Sequence, residues 1–115
     1  MARKLLHKLL IILFFIAPFL KVNAQYYVKT CDSILQLPIH DTDKANLLKF
    51  KAKDKFETDV NANIYYMEHA LPIAEKYKKY KQVLFFYNNL GNSYLDKGDF
   101  ANALKLNLKC LKLAE

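Results

Sequence analysis

The chain has only two glycines in 115 residues, Gly91 and Gly98, and their setting restricts the fold more than any other feature. Tyr87, Leu90 and Tyr94 stand at i, i+3 and i+7 around Gly91, the spacing of one helical face. A glycine on that face has no Cβ, so a paired helix can approach its backbone closely. Gly98 follows two turns later, where a left-handed residue ends a helix without steric cost. The spacing therefore predicts a helix over 82–95, a turn over 96–99 and a final helix over 100–114.

Helical spacing recurs upstream. Tyr27, Cys31, Ile34 and Leu35 predict a short helix over 26–37, stopped by Pro38. Thr42 or Asp41 supplies an N-cap oxygen for a second helix, in which Leu47, Leu48, Phe50 and Phe56 mix with five lysines between Lys44 and Lys55. From Asn61 to Lys81 the residues Ile64, Met67, Ala70, Leu71, Ala74 and Tyr77 keep a 3.6-residue period, and Pro72 predicts a kink over 68–72. Four alternating helices joined by short polar turns make an all-α antiparallel stack. With 53% hydrophobic residues, two glycines, three prolines and two cysteines, collagen-like, low-complexity and disulfide-dense classes are excluded.

The first 24 residues read differently. A basic start from Met1 to Lys8, an apolar run from Leu9 to Leu20 and the small-residue site Val22-Asn23-Ala24 form the pattern of a secretory signal peptide cut between Ala24 and Gln25. The apolar run rises about 18 Å as a helix, short of the roughly 30 Å of a membrane's hydrocarbon core. Gln25, where a lipoprotein would have cysteine, argues against lipid attachment. The mature region is thus expected in the periplasm or outside the cell. Arg3, Lys4, Lys8 and Lys21 are 4 of the 18 basic residues, and no acid precedes Asp32, so the formal charge of +7 falls to +3 without residues 1–24. That small surplus gives no footprint for nucleic acid.

The stretch from Tyr87 to Glu115 resembles a tetratricopeptide repeat. Tyr87, Leu90, Gly91, Tyr94, Gly98 and Ala103 fall on the family's pattern, while Asn107, Cys110 and Glu115 replace its aromatic residue, alanine and proline. A weaker copy lies forty residues earlier, with Leu47, Phe50, Val60, Met67 and Ala70 matching Tyr87, Leu90, Phe100, Asn107 and Cys110. There Lys51 and Asp54 replace Gly91 and Tyr94. The organisation expected is a signal peptide over 1–24, a short helix and linker over 25–40, a degenerate repeat-like helix pair over 41–83 and a tetratricopeptide repeat over 84–115. The resemblance implies an α-solenoid of about two repeats and a non-catalytic protein–protein interaction module. Its groove-lining first helix offers Phe85, Asn88, Asn89, Asn92 and Leu95 as peptide-binding candidates. The start of the chain also resembles exported bacterial tetratricopeptide arrays that precede a membrane helix and a signalling output such as a histidine kinase.

No catalytic constellation is legible. Past residue 24, serine occurs at Ser33 and Ser93 and histidine at His40 and His69, with no phosphate loop and no H-E-x-x-H. No enzymatic activity, cofactor or metal is expected. His40, Asp41 and Asp43 include metal-ligand types, yet Asp41 and Thr42 have a simpler use as helix caps. His69 beside Glu68 has no nucleophile to serve. Cys31 and Cys110 invite a disulfide after export, but an intervening helix pair should keep them apart, so free thiols are expected. Asn107 should be buried or face a neighbour. Leu104, Leu108 and Leu111 need cover from further C-terminal repeats, a protein or peptide partner, or self-association. The alternative reading is a cationic membrane-surface protein using the lysines of 44–55 and Lys76, Lys78, Lys79 and Lys81. Otherwise membrane contact comes only through the signal peptide or a downstream span.

Overall fold

A computed structural model describes residues 2–115, of which 13–23 are described by their helical backbone alone. Among the described residues every regular element is a helix: α1 Ala2–Leu35, α2 Asp41–Asp54, α3 Val60–Lys76, α4 Tyr80–Lys97 and α5 Phe100–Ala114. The short helix expected over 26–37 is the last third of α1, which runs through Ala24 and Gln25 without a break. Tyr27, Cys31, Ile34 and Leu35 attach it to the core, whereas Leu5, Leu6, Leu9 and Leu10 are exposed. Most of the apolar run, with Pro18, Val22 and Asn23, lies outside the residues whose side chains are described. Among the described residues no helix is long and apolar enough to cross a membrane.

The helix starts follow side-chain chemistry, with one correction. His40, not Asp41 or Thr42, caps α2: its Nδ1 accepts from the Thr42 N–H at 3.2 Å and from the Thr42 hydroxyl at 2.8 Å. Asp41 already lies in the first turn, where its carboxylate suits the helix dipole and accepts from the Tyr77 hydroxyl at 3.2 Å. Asp59 and Asp99, forty residues apart, cap α3 and α5 alike, accepting from the N–H of Ala62 at 3.1 Å and of Asn102 at 3.2 Å.

The helix ends repeat as well. Gly98 takes φ 85° after α4, its N–H bonding the Leu95 carbonyl at 3.0 Å while the Asp99 N–H reaches the Tyr94 carbonyl at 2.8 Å. These are the paired bonds of a Schellman motif. α3 ends by the same device at Lys78, which has φ 54° without being glycine. There Lys78 bonds Glu75 at 3.2 Å and Lys79 bonds Ala74 at 2.9 Å. α3 therefore stops at Lys76 and not at Lys81, and it continues through Pro72.

Side-chain pairs fix the helix directions. Tyr77 meets Asp41 at one end of the α2–α3 pair and Asn63 meets Ala52 at the other. Between α3 and α4, Tyr87 donates to Glu75 at 3.3 Å and Tyr94 donates to Glu68. Lys109 stands over the Tyr87 ring, and Gly91 faces Ala103 and Asn107. Each of α3, α4 and α5 thus runs back along its predecessor, and α2 and α4 point the same way. Tyr66, Met67, Leu48, Phe86 and Leu90 fill the centre.

Two expectations about packing change. Leu47 and Phe50 are exposed, unlike Tyr87 and Leu90, because α2 buries a stripe of Ala45, Leu48 and Ala52. The forty-residue match thus holds for the caps of α3 and α5 and fails for these two side chains. At Gly91 an added Cβ would stand 2.7 Å from Asn107 Oδ1 but 3.7 Å from the Ala103 carbonyl oxygen. What occupies the space beside Gly91 is therefore the amide of Asn107, which stays exposed while facing α4. A movable side chain gives way more cheaply than backbone.

Substitutions at the two left-handed positions should consequently have opposite signs. Gly98→Ala is expected to lose about 1 kcal/mol and Lys78→Gly to gain up to about that much in urea unfolding, since only the first places a Cβ in a left-handed site. Gly91→Ala should cost less than Gly98→Ala, because Asn107 can rotate away.

Candidate functional site

The sequence-predicted peptide residues lie on α4, and the structure divides them. Phe85 and Asn89 line a cavity of about 200 Å³ between α2 and α4, whose other walls include Ala52, Lys53, Phe56 and Met67. Asn88, Asn92 and Leu95 are exposed and outside that cavity. Asn89 is held by a bond from its Nδ2 to the Phe85 carbonyl at 2.8 Å, one turn back. The lining is mostly apolar, which suits a side chain better than a polar cofactor.

The floor is set by Asn63, a residue for which sequence reasoning had no role. It is 2% exposed, donates from Nδ2 to the Ala52 carbonyl at 2.6 Å, and accepts from the Ser93 hydroxyl at 2.6 Å. One amide thus links the end of α2, the start of α3 and the C-terminal third of α4. The signal available in sequence was an asparagine four residues past the Asp59 cap on an otherwise apolar face. Its partners, 11 residues before it and 30 after it, were not legible.

Two ammonium groups overhang the cavity's aromatic wall. Lys49 Nζ lies 4.3 Å and Lys53 Nζ 5.2 Å from the centre of the Phe85 ring, both within cation–π range. Among the described residues neither pairs with a carboxylate, the one ion pair being Lys44 with Asp41 at 3.6 Å. At the other end of the groove, Gln82 donates to Asn46 at 2.6 Å beside an open depression lined by Lys78, Lys79, Tyr80 and Lys81.

His40 and His69 have structural partners. His69 donates from Nδ1 to the Tyr65 carbonyl at 2.8 Å and stacks on Tyr65 with ring centres 4.2 Å apart. His40 packs on Tyr77 with ring centres 5.3 Å apart. Among the described residues no group of three His, Cys, Asp or Glu side chains is arranged to hold a metal ion. Burial, with hydrogen bonding from its own hydroxyl to Glu68 next, pushes the Tyr94 hydroxyl well above its usual range.

Both cysteines are free thiols, Cys31 fully buried and Cys110 half-buried. The described residues of α1 and α5 nowhere approach within 8 Å, Cα to Cα, which is farther than a disulfide spans. Burial pushes the Cys31 thiol up to about 11, with Asp32 adding to the effect. Of the residues that the family resemblance singles out, Tyr87, Leu90, Gly91 and Ala103 are buried, Tyr94 is half-buried and Gly98 is exposed. Phe100, Leu104, Leu108 and Leu111 make a bare apolar stripe on α5, with Leu104 60% and Leu111 62% exposed.

Three measurements follow from these partners. A thiol reagent at pH 8 should modify Cys110 in the native protein and reach Cys31 only after unfolding; protection of both in denaturant would reveal a disulfide. The folded state keeps the Cys31 proton to about pH 11 while the unfolded chain releases it near 9, so the unfolded state binds fewer protons in that window. Stability should then fall there by up to about 1.4 kcal/mol per pH unit, with a shallower decline in Cys31→Ala. Asn63→Ala removes two hydrogen bonds and strands the Ser93 hydroxyl, an expected loss of about 2–4 kcal/mol in denaturant titration. Compared with known proteins, the chain matches no family model, no curated protein and no solved structure.

Proposed function

We propose that this chain is a non-catalytic, exported protein-interaction module of the tetratricopeptide type, and the input region of a membrane-linked signalling protein. The observation that carries the reading is the groove between α2 and α4, two helices running in one direction with an apolar cavity between them. The glycine and aromatic pattern of α4 and the Asp caps shared by α3 and α5 support the tetratricopeptide assignment. Helix pairs that repeat in this way present an extended surface for a peptide. Export rests on the basic and apolar pattern of residues 1–24. Tyr27, Cys31 and Ile34, which belong to the core, lie past the expected cut, and residues 2–12 are exposed. The ligand is a protein segment lying along α4, bonded by the exposed amides of Asn88 and Asn92. The bare leucine stripe of α5 is a second surface, for self-association or for further repeats.

Peptides selected from a displayed library on the full chain provide the test. The double variant Asn88→Ala/Asn92→Ala should weaken the selected peptides about tenfold, and unchanged affinity would count against the groove. Export predicts that the protein recovered from outside the cytoplasm begins at Gln25 by N-terminal sequencing.

A further inference from the structure

Positive charge is concentrated in the turn between α3 and α4. Four of the six residues from Lys76 to Lys81 are lysine, and no acid occurs between Glu75 and Asp96. All four lysines are exposed, and among the described residues none pairs with a carboxylate. Lys78, Lys79 and Lys81 line one open depression of about 580 Å³, which Tyr80 and the neutral side chains of Thr42, Asn46 and Gln82 complete. An anion placed among these ammonium groups would relieve their mutual repulsion.

Apolar surface lies at the same end of the bundle. His40 packs on Tyr77 with ring centres 5.3 Å apart, which brings the linker Leu37-Pro38-Ile39 to the turn. Leu37 and Ile39 are each 39% exposed, and Tyr80 is 56% exposed. Of the acids here, Asp41 pairs with Lys44 and accepts from Tyr77, Glu75 accepts from Tyr87, and Asp43 lies exposed in the first turn of α2. Tyr27 meets Tyr65 near the start of α3, with ring centres 5.2 Å apart, so α1 runs alongside α3 in the same direction. The exposed start of α1 therefore leads away from the opposite end of the bundle.

A lysine ammonium is a compact charge that suits a phosphate headgroup, and aliphatic and tyrosyl side chains beside it suit the boundary between headgroups and acyl chains. Nucleic acid is the poorer match. Arg3 is the chain's one arginine, so this end has no guanidinium to read a base, and exposed Leu37 and Ile39 gain nothing from a phosphate backbone.

We infer that this end of the bundle is a docking surface for an anionic phospholipid membrane, at which Lys76, Lys78, Lys79 and Lys81 meet the phosphates while Tyr80, Leu37 and Ile39 enter the interface. The inference is independent of the groove between α2 and α4, whose test uses Asn88 and Asn92.

The chain has no tryptophan, so a single introduced indole is a local reporter. In the full chain, Tyr80→Trp places it on the proposed surface and Phe100→Trp places it at the opposite end, where α5 begins. Vesicles of phosphatidylglycerol and phosphatidylcholine in equal parts should move the Tyr80→Trp emission to shorter wavelength and leave Phe100→Trp unmoved. Phosphatidylcholine alone should move neither. In the Tyr80→Trp background, Lys76→Gln/Lys79→Gln/Lys81→Gln should weaken vesicle binding about a hundredfold, at roughly fivefold per lysine near an anionic surface. That set leaves the left-handed residue Lys78 in place. Lys53→Gln/Lys55→Gln/Lys97→Gln, which removes the same charge from the opposite end, should change binding by less than about threefold, because salt screens charges that far from the lipid. An unmoved emission at position 80, or an equal shift at position 100, would overturn the surface, the second result assigning the contact to α1 or α5. Equal losses in the two lysine sets would overturn it by reducing binding to net charge. A duplex oligonucleotide that displaces the vesicles and binds at least as tightly would overturn the lipid assignment in favour of nucleic acid.

Discussion

The fold depends on a single buried amide. Asn63 and Ser93 are the buried polar side chains among the described residues, and they bond to each other. Water is excluded there, so each hydrogen bond left unmade would cost far more than one made at the surface contributes. Asn63 satisfies both of its ends, and in doing so it sets α2, α3 and α4 at one mutual position. The apolar residues around it, Leu48, Met67, Phe86 and Leu90, fill space without specifying register so narrowly. The groove between α2 and α4 exists because this bridge lies below it and keeps the two helices apart at a fixed spacing.

Helix punctuation supplies the second constraint. Aspartate starts both α3 and α5, and a left-handed residue ends both α3 and α4. In each case a side chain or a backbone reversal satisfies groups that a helix end leaves unpaired. Repetition of these devices makes successive helices fold back at similar intervals, even where the side chains on their faces have diverged. Leu47 and Phe50 illustrate the divergence, for they occupy the positions of Tyr87 and Leu90 in the forty-residue register and yet face solvent.

Charge is distributed around this frame. Of the lysines of α2, Lys49 and Lys53 overhang Phe85, Lys44 pairs with Asp41 and Lys51 is half-buried. Hydroxyl-to-carboxylate bonds from Tyr87 to Glu75 and from Tyr94 to Glu68 tie α3 to α4. Among the described residues no helix packs on the apolar stripe of α5. Cohesion is therefore greatest in the centre, where α3 packs on its neighbours, and a large apolar surface is open at the α5 side.

Much of this was local and hence readable from residues alone. The 3.6-residue periods located the four helices after Pro38 and Gly98 announced the end of α4, whereas of the five groove candidates Phe85 and Asn89 line the cavity and Asn88, Asn92 and Leu95 lie outside it. Local chemistry also misled where two neighbours competed: His40 took the cap expected of Asp41 or Thr42, and Lys78 adopted a conformation that glycine usually fills. What sequence by itself determined was the helical class and its punctuation, because periodicity and capping act over a few residues. Tertiary structure alone decided that Asn63 would bridge three helices, that Asn107 would fill the space beside Gly91, and that Lys49 and Lys53 would meet over Phe85. Those juxtapositions join residues 11 to 36 apart, and only the packing of whole helices brings such distances together.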